Sequence, residues 1–210
     1  MEKFTRLSAI AAPLLRENVD TDIIIRIERL VGATQRSSLG DYAFESWRFR
    51  PDGSEEPQFV LNREPYRRAQ ILLALRNFGC GSSREGAVWA LKQKGFRAVV
   101  APSFGDIFFN NCYQNGVLPV VVAEATVQAI ARQVEADPER NQVTVDLARQ
   151  VVTAPDGGET AFQIDTLRRE ALLDGLDDLG LTLKRASDIA AFQARDRAER
   201  PWIWAVETRR

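Results

Sequence analysis

Apolar and polar positions change period several times along this chain, and each change marks an element. Residues 71–75 are an unbroken apolar run, short enough for a buried strand. Helical spacing follows over 87–94 and stops at Gly95, a residue suited to the left-handed position after a helix. Residues 96–101 read as a buried strand and 104–111 as a helix, with a turn at Asn115-Gly116. A strand over 118–122 and a helix over 123–135, ending near Pro138, complete the series. Strand and helix alternate from 71 to 135, which predicts parallel pairing with right-handed crossovers. From Gln142 the period drops to two: Val143, Val145 and Leu147 alternate, Val151-Val152 follow, and Gly157-Gly158 turns the chain into 161–164. These are short antiparallel strands. Residues 165–173 read as a helix ended by Gly175, and 176–183 lead through Asp188 into a last helix over 189–198.

The N-terminal third is less regular. Residues 7–15 read as one strand broken at Pro13. Asp20 and Asp22 flank Thr21 just before Ile23-Ile24-Ile25. The pattern suits a turn whose carboxylates cap backbone N–H groups, although in an extended segment the two would share a face. Residues 30–39 are small and polar and predict a mobile loop carrying Arg36, an anion ligand or a solvated arginine. Residues 41–49 hold four aromatics and suit a short helix, 51–57 a polar loop, and 59–61 a brief strand. The tail Pro201-Trp202-Ile203-Trp204 is apolar for a terminus and is expected to pack on its own domain, with an interface to a partner as the alternative.

The stretch 77–86, Asn-Phe-Gly-Cys-Gly-Ser-Ser-Arg-Glu-Gly, joins an apolar strand to a helix. Gly79 and Gly81 permit positive φ and close approach of a ligand to the backbone. Ser82 or Ser83 is placed to cap the helix. Free N–H groups, two hydroxyls and the Arg84 guanidinium then converge at a helix N-terminus, a setting for an anion such as a carboxylate. Gly-rich, Ser-capped turns also occur with no chemical role. The spacing matches neither a Walker A loop nor the Rossmann fingerprint.

Composition narrows the chemistry. The chain has 210 residues, 45% of them apolar, so a substantial core is within reach of a single domain. A net charge of −1 gives no sign of a nucleic-acid or membrane-surface partner. No apolar run is long enough to span a membrane and no signal-peptide pattern opens the chain, so a soluble, cytoplasmic protein is expected. Histidine is absent, which removes the commonest general base and metal ligand. Cys80 and Cys112 are too few for an iron–sulfur cluster and are expected to stay reduced. Cys80 reads as a small filler of the turn and Cys112 as a core residue. Proton chemistry must use a carboxylate, a hydroxyl in an unusual field, or another chain.

Four segments together resemble one family: 18–25 (Asn-Val-Asp-Thr-Asp-Ile-Ile-Ile), 77–85, 101–108 and 175–183. They are similar to the small subunit of bacterial 3-isopropylmalate dehydratase, the swivelling domain of the aconitase superfamily. The resemblance runs from about Phe4 to Phe192. It implies an α/β fold, a swivelling β/β/α domain with a mixed sheet core and flanking helices. That domain would span 1–210, with a core over 4–192 and an extension over 193–210. It also implies a large-subunit partner carrying a [4Fe–4S] cluster, and dehydration followed by rehydration of a hydroxy diacid in leucine biosynthesis. By the same resemblance Ser82 is the base that takes a carbon-bound proton. Arg84, Ser83 and Gly81 meet a substrate carboxylate, Arg36 meets another, and Asp22 is an active-site aspartate. The residues agree: a serine can serve as base only if neighbouring positive charge and N–H donors stabilise its alkoxide. Hydroxyl departure needs a Lewis acid, which this sequence does not supply.

This chain has Gly86 and Val88 where the family usually has His and Pro, and Arg26 where it usually has Pro. Those changes are expected to loosen packing behind the turn and to add charge beside the loop. A related protein acting on methylmalate or citraconate, 2-methylisocitrate or homoaconitate would read much the same. A non-catalytic carboxylate-binding domain is the alternative of another class, though it would have little need of Ser82.

Overall fold

The computed structural model describes residues 1–31 and 36–205. Its core is a parallel sheet built where the sequence is continuously apolar. The chain enters through β1 (Arg6–Ala9) and β2 (Ala11–Leu14), which belong to different sheets. The single strand expected over 7–15 is therefore two, and the break falls at Ile10 rather than Pro13. The Ile10 carbonyl accepts from Gln70 N (3.1 Å) as the chain passes between layers. Pro13 lies inside β2, an edge strand, where a missing N–H is tolerated.

Short helices follow: α1 (Thr21–Ile24), α2 (Ile27–Val31), a 3-10 helix over Arg36–Tyr42, and α3 (Glu45–Arg48). The loop expected over 30–39 is thus partly helical, and 32–35 lie outside the described residues. The strand expected at 59–61 is a 3-10 helix, Val60–Asn62. There Asn62 Nδ2 donates to the Arg48 and Glu56 carbonyls, and Arg48 Nε donates to Asn62 Oδ1. Side-chain bonding to nearby backbone competes here with a sheet ladder.

The next elements match the sequence reading closely. They are β3 (Ile71–Ala74), α4 (Glu85–Lys94), β4 (Ala98–Ala101), α5 (Asp106–Asn115), β5 (Leu118–Val121) and α6 (Glu124–Ala136). Strands run β2-β3-β4-β5, all parallel, and α6 packs across β2, β3 and β4. Every residue of β3 and β4 is buried, as expected of a sheet covered on both faces. Gly95 and Gly116 end α4 and α5 in the left-handed region.

The second layer is antiparallel: β6 (Val143–Asp146), β7 (Val151–Thr153) and β8 (Glu159–Ala161) join β1 in the order β1-β6-β7-β8. Sheet directions are mixed between layers and uniform within each. Helices α7 (Thr166–Asp174), α8 (Asp178–Leu183), α9 (Ala186–Glu199) and α10 (Pro201–Trp204) close the chain. The tail does not bury itself as expected. Trp202 is 70% exposed, and Trp204 only folds back to donate its indole N–H to Asp196 on α9 (2.8 Å). Among the described residues no helix is long and apolar enough to cross a membrane.

Candidate active site

Three loops leave the C-terminal ends of β2, β3 and β4 and meet above the parallel sheet, where open α/β sheets place their ligands. The middle loop is the Gly-Ser-Ser-Arg turn. Backbone bonds lock it to its neighbours. Gly79 N donates to Val19 O (2.7 Å) and Thr21 N to Cys80 O (2.9 Å). On the other side Asn77 N donates to Ser103 Oγ (2.8 Å) and Gly105 N to Phe78 O (2.9 Å). Phe78, fully buried, stacks edge-on with Phe108 at 5.5 Å and anchors the turn from below.

Gly79 has φ 73°, and a Cβ there would lie 2.2 Å from the Phe108 ring. Only glycine meets both conditions. Gly81 has φ 89° and is exposed. Ser82 and Ser83 are also exposed, and among the described residues neither hydroxyl has a hydrogen-bond partner. They do not cap α4, contrary to the sequence reading. Arg84 is the N-cap and makes no side-chain cap bond. Both hydroxyls and the first N–H groups of α4 are therefore left for a ligand.

Arg84 is the more sheltered group, its side chain 17% exposed against 56% for Asp22. The two form an ion pair through Nη1 and Oδ1. Asp20 behaves as the expected cap, accepting from Ile23 N at 2.8 Å. The two aspartates thus divide their work: Asp20 starts α1 and Asp22 holds Arg84. Arg36 opens the helix Arg36–Tyr42, but its side chain lies outside the described residues.

Sequence reasoning missed Thr21 and Asp106. Thr21 is buried, and its Oγ1 donates to the Ser82 carbonyl at 2.9 Å, fixing the turn beneath the serine. Asp106 lines a cavity of about 280 Å³ with Gly79, Cys80, Gly81, Ser82, Gly105 and Ile107. The signal for Asp106 was a glycine followed at once by an acid where strand gives way to helix at 105–106. Nothing local marks the Thr21 contact, which spans 61 residues.

Burial and the Asp20 charge push the Cys80 thiol up, so it stays protonated and is no nucleophile at neutral pH. Cys112 is fully buried and pushed up further. Both cysteines are free. Among the described residues no group of three or more His, Cys, Asp or Glu could hold a metal ion, so the donors described do not fit an iron–sulfur cluster.

Known proteins place the chain. The Aconitase C-terminal domain model matches residues 1–125, and the LeuD_N model matches 128–166. The model for the C-terminal domain of the 3-isopropylmalate dehydratase small subunit matches 178–203. The 3-isopropylmalate dehydratase small subunit of Gluconacetobacter diazotrophicus is 53% identical over 96% of this chain and 97% of its own. That of Cupriavidus necator is 53% identical over 97% and 98%. The crystal structure of 3-isopropylmalate dehydratase from Methanocaldococcus jannaschii superposes with a TM-score of 0.64. It covers 89% of this chain and 98% of that one at 24% identity, which is a likeness of fold. With half its residues shared with these relatives over nearly full length, this chain belongs to the family of 3-isopropylmalate dehydratase small subunits.

Proposed function

We propose that this chain is the small subunit of a 3-isopropylmalate dehydratase. With a large subunit it interconverts 2- and 3-isopropylmalate by removing water and returning it to the adjacent carbon, a step of leucine biosynthesis. The observation that carries this reading is the turn itself, with two exposed, unbonded hydroxyls beside a sheltered guanidinium at the start of a ten-residue helix.

In this reading the Arg84 fork and the Ser83 hydroxyl grip one substrate carboxylate while the guanidinium stays paired with Asp22. Gly81 lets the carboxylate approach the backbone. By the family resemblance Arg36 takes a second carboxylate. Ser82 Oγ takes the proton from the substrate carbon, and as the C–H pair becomes a double bond the hydroxyl leaves the neighbouring carbon. Hydroxide then adds to the carbon that lost the proton while Ser82 returns its proton to the carbon that lost the hydroxyl, so one water is removed and one is returned. The α4 dipole and Arg84 favour the serine alkoxide. An iron–sulfur cluster on the large subunit would supply the Lewis acidity for hydroxyl departure.

Ser82→Ala tests the assignment in the reconstituted pair. Loss of a general base is expected to lower kcat about 10²–10⁴-fold with little change in KM. A kcat near wild type would remove Ser82 from the reaction. A panel of hydroxy diacids in the same assay ranks isopropylmalate against its shorter and longer relatives.

A further inference from the structure

Gly86 is the second residue of α4, is buried, and has no positive φ to justify a glycine. Glycine inside a helix is destabilising, so a buried helical glycine points to a close neighbour. That neighbour is Leu30 of α2. A Cβ at 86 would lie 2.4 Å from Leu30 Cδ2 and 2.8 Å from Cδ1. The end of the leucine side chain occupies the space an alanine methyl would take. The packing expected to be loose behind the turn is instead filled from α2.

Four further contacts fix the same region. Arg29 Nε donates to Glu45 Oε2 at 2.9 Å, and its guanidinium lies 4.0 Å from the centre of the Tyr42 ring. Gly40, in the helix Arg36–Tyr42, sits directly on the α4 backbone, where a Cβ would meet Gln93 C at 2.6 Å and Lys94 N at 2.7 Å. Gly40 N also donates to Gln93 Oε1 at 3.3 Å. The chain on both sides of residues 32–35 is thus registered against α4, at its first turn by Leu30 and at its last by Gly40.

We propose that Leu30 is a positioning residue for this site. Seated at Gly86, it sets α2 against the first turn of α4, two residues past Arg84 and three and four past Ser83 and Ser82. The proposal deepens the isopropylmalate reading and rests on it for its kinetic consequence. Its structural consequence stands alone.

Gly86→Ala separates positioning from bulk stability, because the two move in opposite directions. Alanine is the better helix former, so Tm is expected to hold or rise. The new methyl displaces the flexible end of Leu30, so kcat/KM of the reconstituted pair is expected to fall about tenfold, mainly through KM, equivalent to about 1.4 kcal/mol. Amide exchange over 27–31 in the isolated chain is expected to quicken several-fold. Leu30→Ala is expected to reproduce the kinetic loss. The double variant is expected to match a single one rather than multiply the losses, since neighbours that share one contact are not additive.

Unchanged exchange over 27–31 in Gly86→Ala would overturn the proposal, as would a kcat/KM within twofold of wild type, or losses that multiply in the double variant. If the wild-type pair turns over no isopropylmalate, the functional reading fails, and the exchange measurement on the isolated chain still decides whether Leu30 holds α2.

Discussion

Arg84 is held by one carboxylate of its own chain while its position at the start of α4 leaves it beside the two free serines. A guanidinium can do both because it presents five donors in a rigid plane. Lysine keeps the charge but has no fork, so it cannot hold Asp22 and a ligand carboxylate in fixed geometry. Arg84→Lys is therefore expected to lower kcat/KM of the pair about 10²-fold, with kcat and KM both affected and Tm little changed. Steady-state kinetics with a thermal melt checks this, and an unaffected kcat/KM would exclude the role. At this scale the sequence showed the turn but not its internal bonding. Gly79 and Gly81 were legible because positive φ and close approach leave few alternatives to glycine. That Arg84, rather than a serine, is the N-cap was not, because its partner Asp22 is 62 residues away and the choice between cap and ion pair is made by the fold.

At the scale of elements, the long helices of the parallel layer were readable because their ends carry a physical signal. Gly95 and Gly116 adopt the left-handed conformation that ends α4 and α5, and Gly175 does the same for α7 outside that layer. The passage from β1 to β2 was not readable. One residue, Ile10, moves the chain between sheets without glycine, and Pro13 drew attention to the wrong place. The short pieces between 21 and 68 were also opaque, since they are held by side chains from elsewhere rather than by their own periodicity. Helix α2 is the functional example. Hydrogen bonds from Arg29 hold the Glu45 carboxyl below its ordinary value, against the opposing effects of burial and Glu28, while the Arg26 charge helps. A carboxyl lowered on folding stabilises the structure above its unfolded pKa and loses that contribution as pH falls through the folded value. Protection of amides 27–31 is thus expected to drop below about pH 4.5, ahead of the sheet amides. Glu45→Gln is expected to show low protection there at every pH. Protection that is flat across the acid range in the wild type would show that the Arg29–Glu45 pair does not hold α2.

At the scale of the molecule, the parallel layer carries the turn and the antiparallel layer packs beside it, but helices α9 and α10 add little to either. Phe192, Trp202 and Ile203 stand in solvent, at 51%, 70% and 47% exposure. Exposed apolar side chains of this kind suit one component of a larger enzyme. The chemistry points the same way. The chain has no histidine, its Cys80 and Cys112 thiols are both held protonated, and Asp22 is committed to Arg84. In the proposed reading the turn binds a carboxylate and receives a proton, but hydroxyl departure from an unactivated carbon needs an acid that these side chains do not provide. The purified chain alone, prepared anaerobically with iron and sulfide, is therefore expected to bind iron well below one equivalent and to show no turnover of isopropylmalate. Adding the large subunit is expected to restore turnover with a one-to-one dependence on this chain. An iron assay and a turnover assay on the same preparation check it. Stoichiometric iron with activity in the chain alone would mean that the acid site lies here after all, in residues that the fold holds apart.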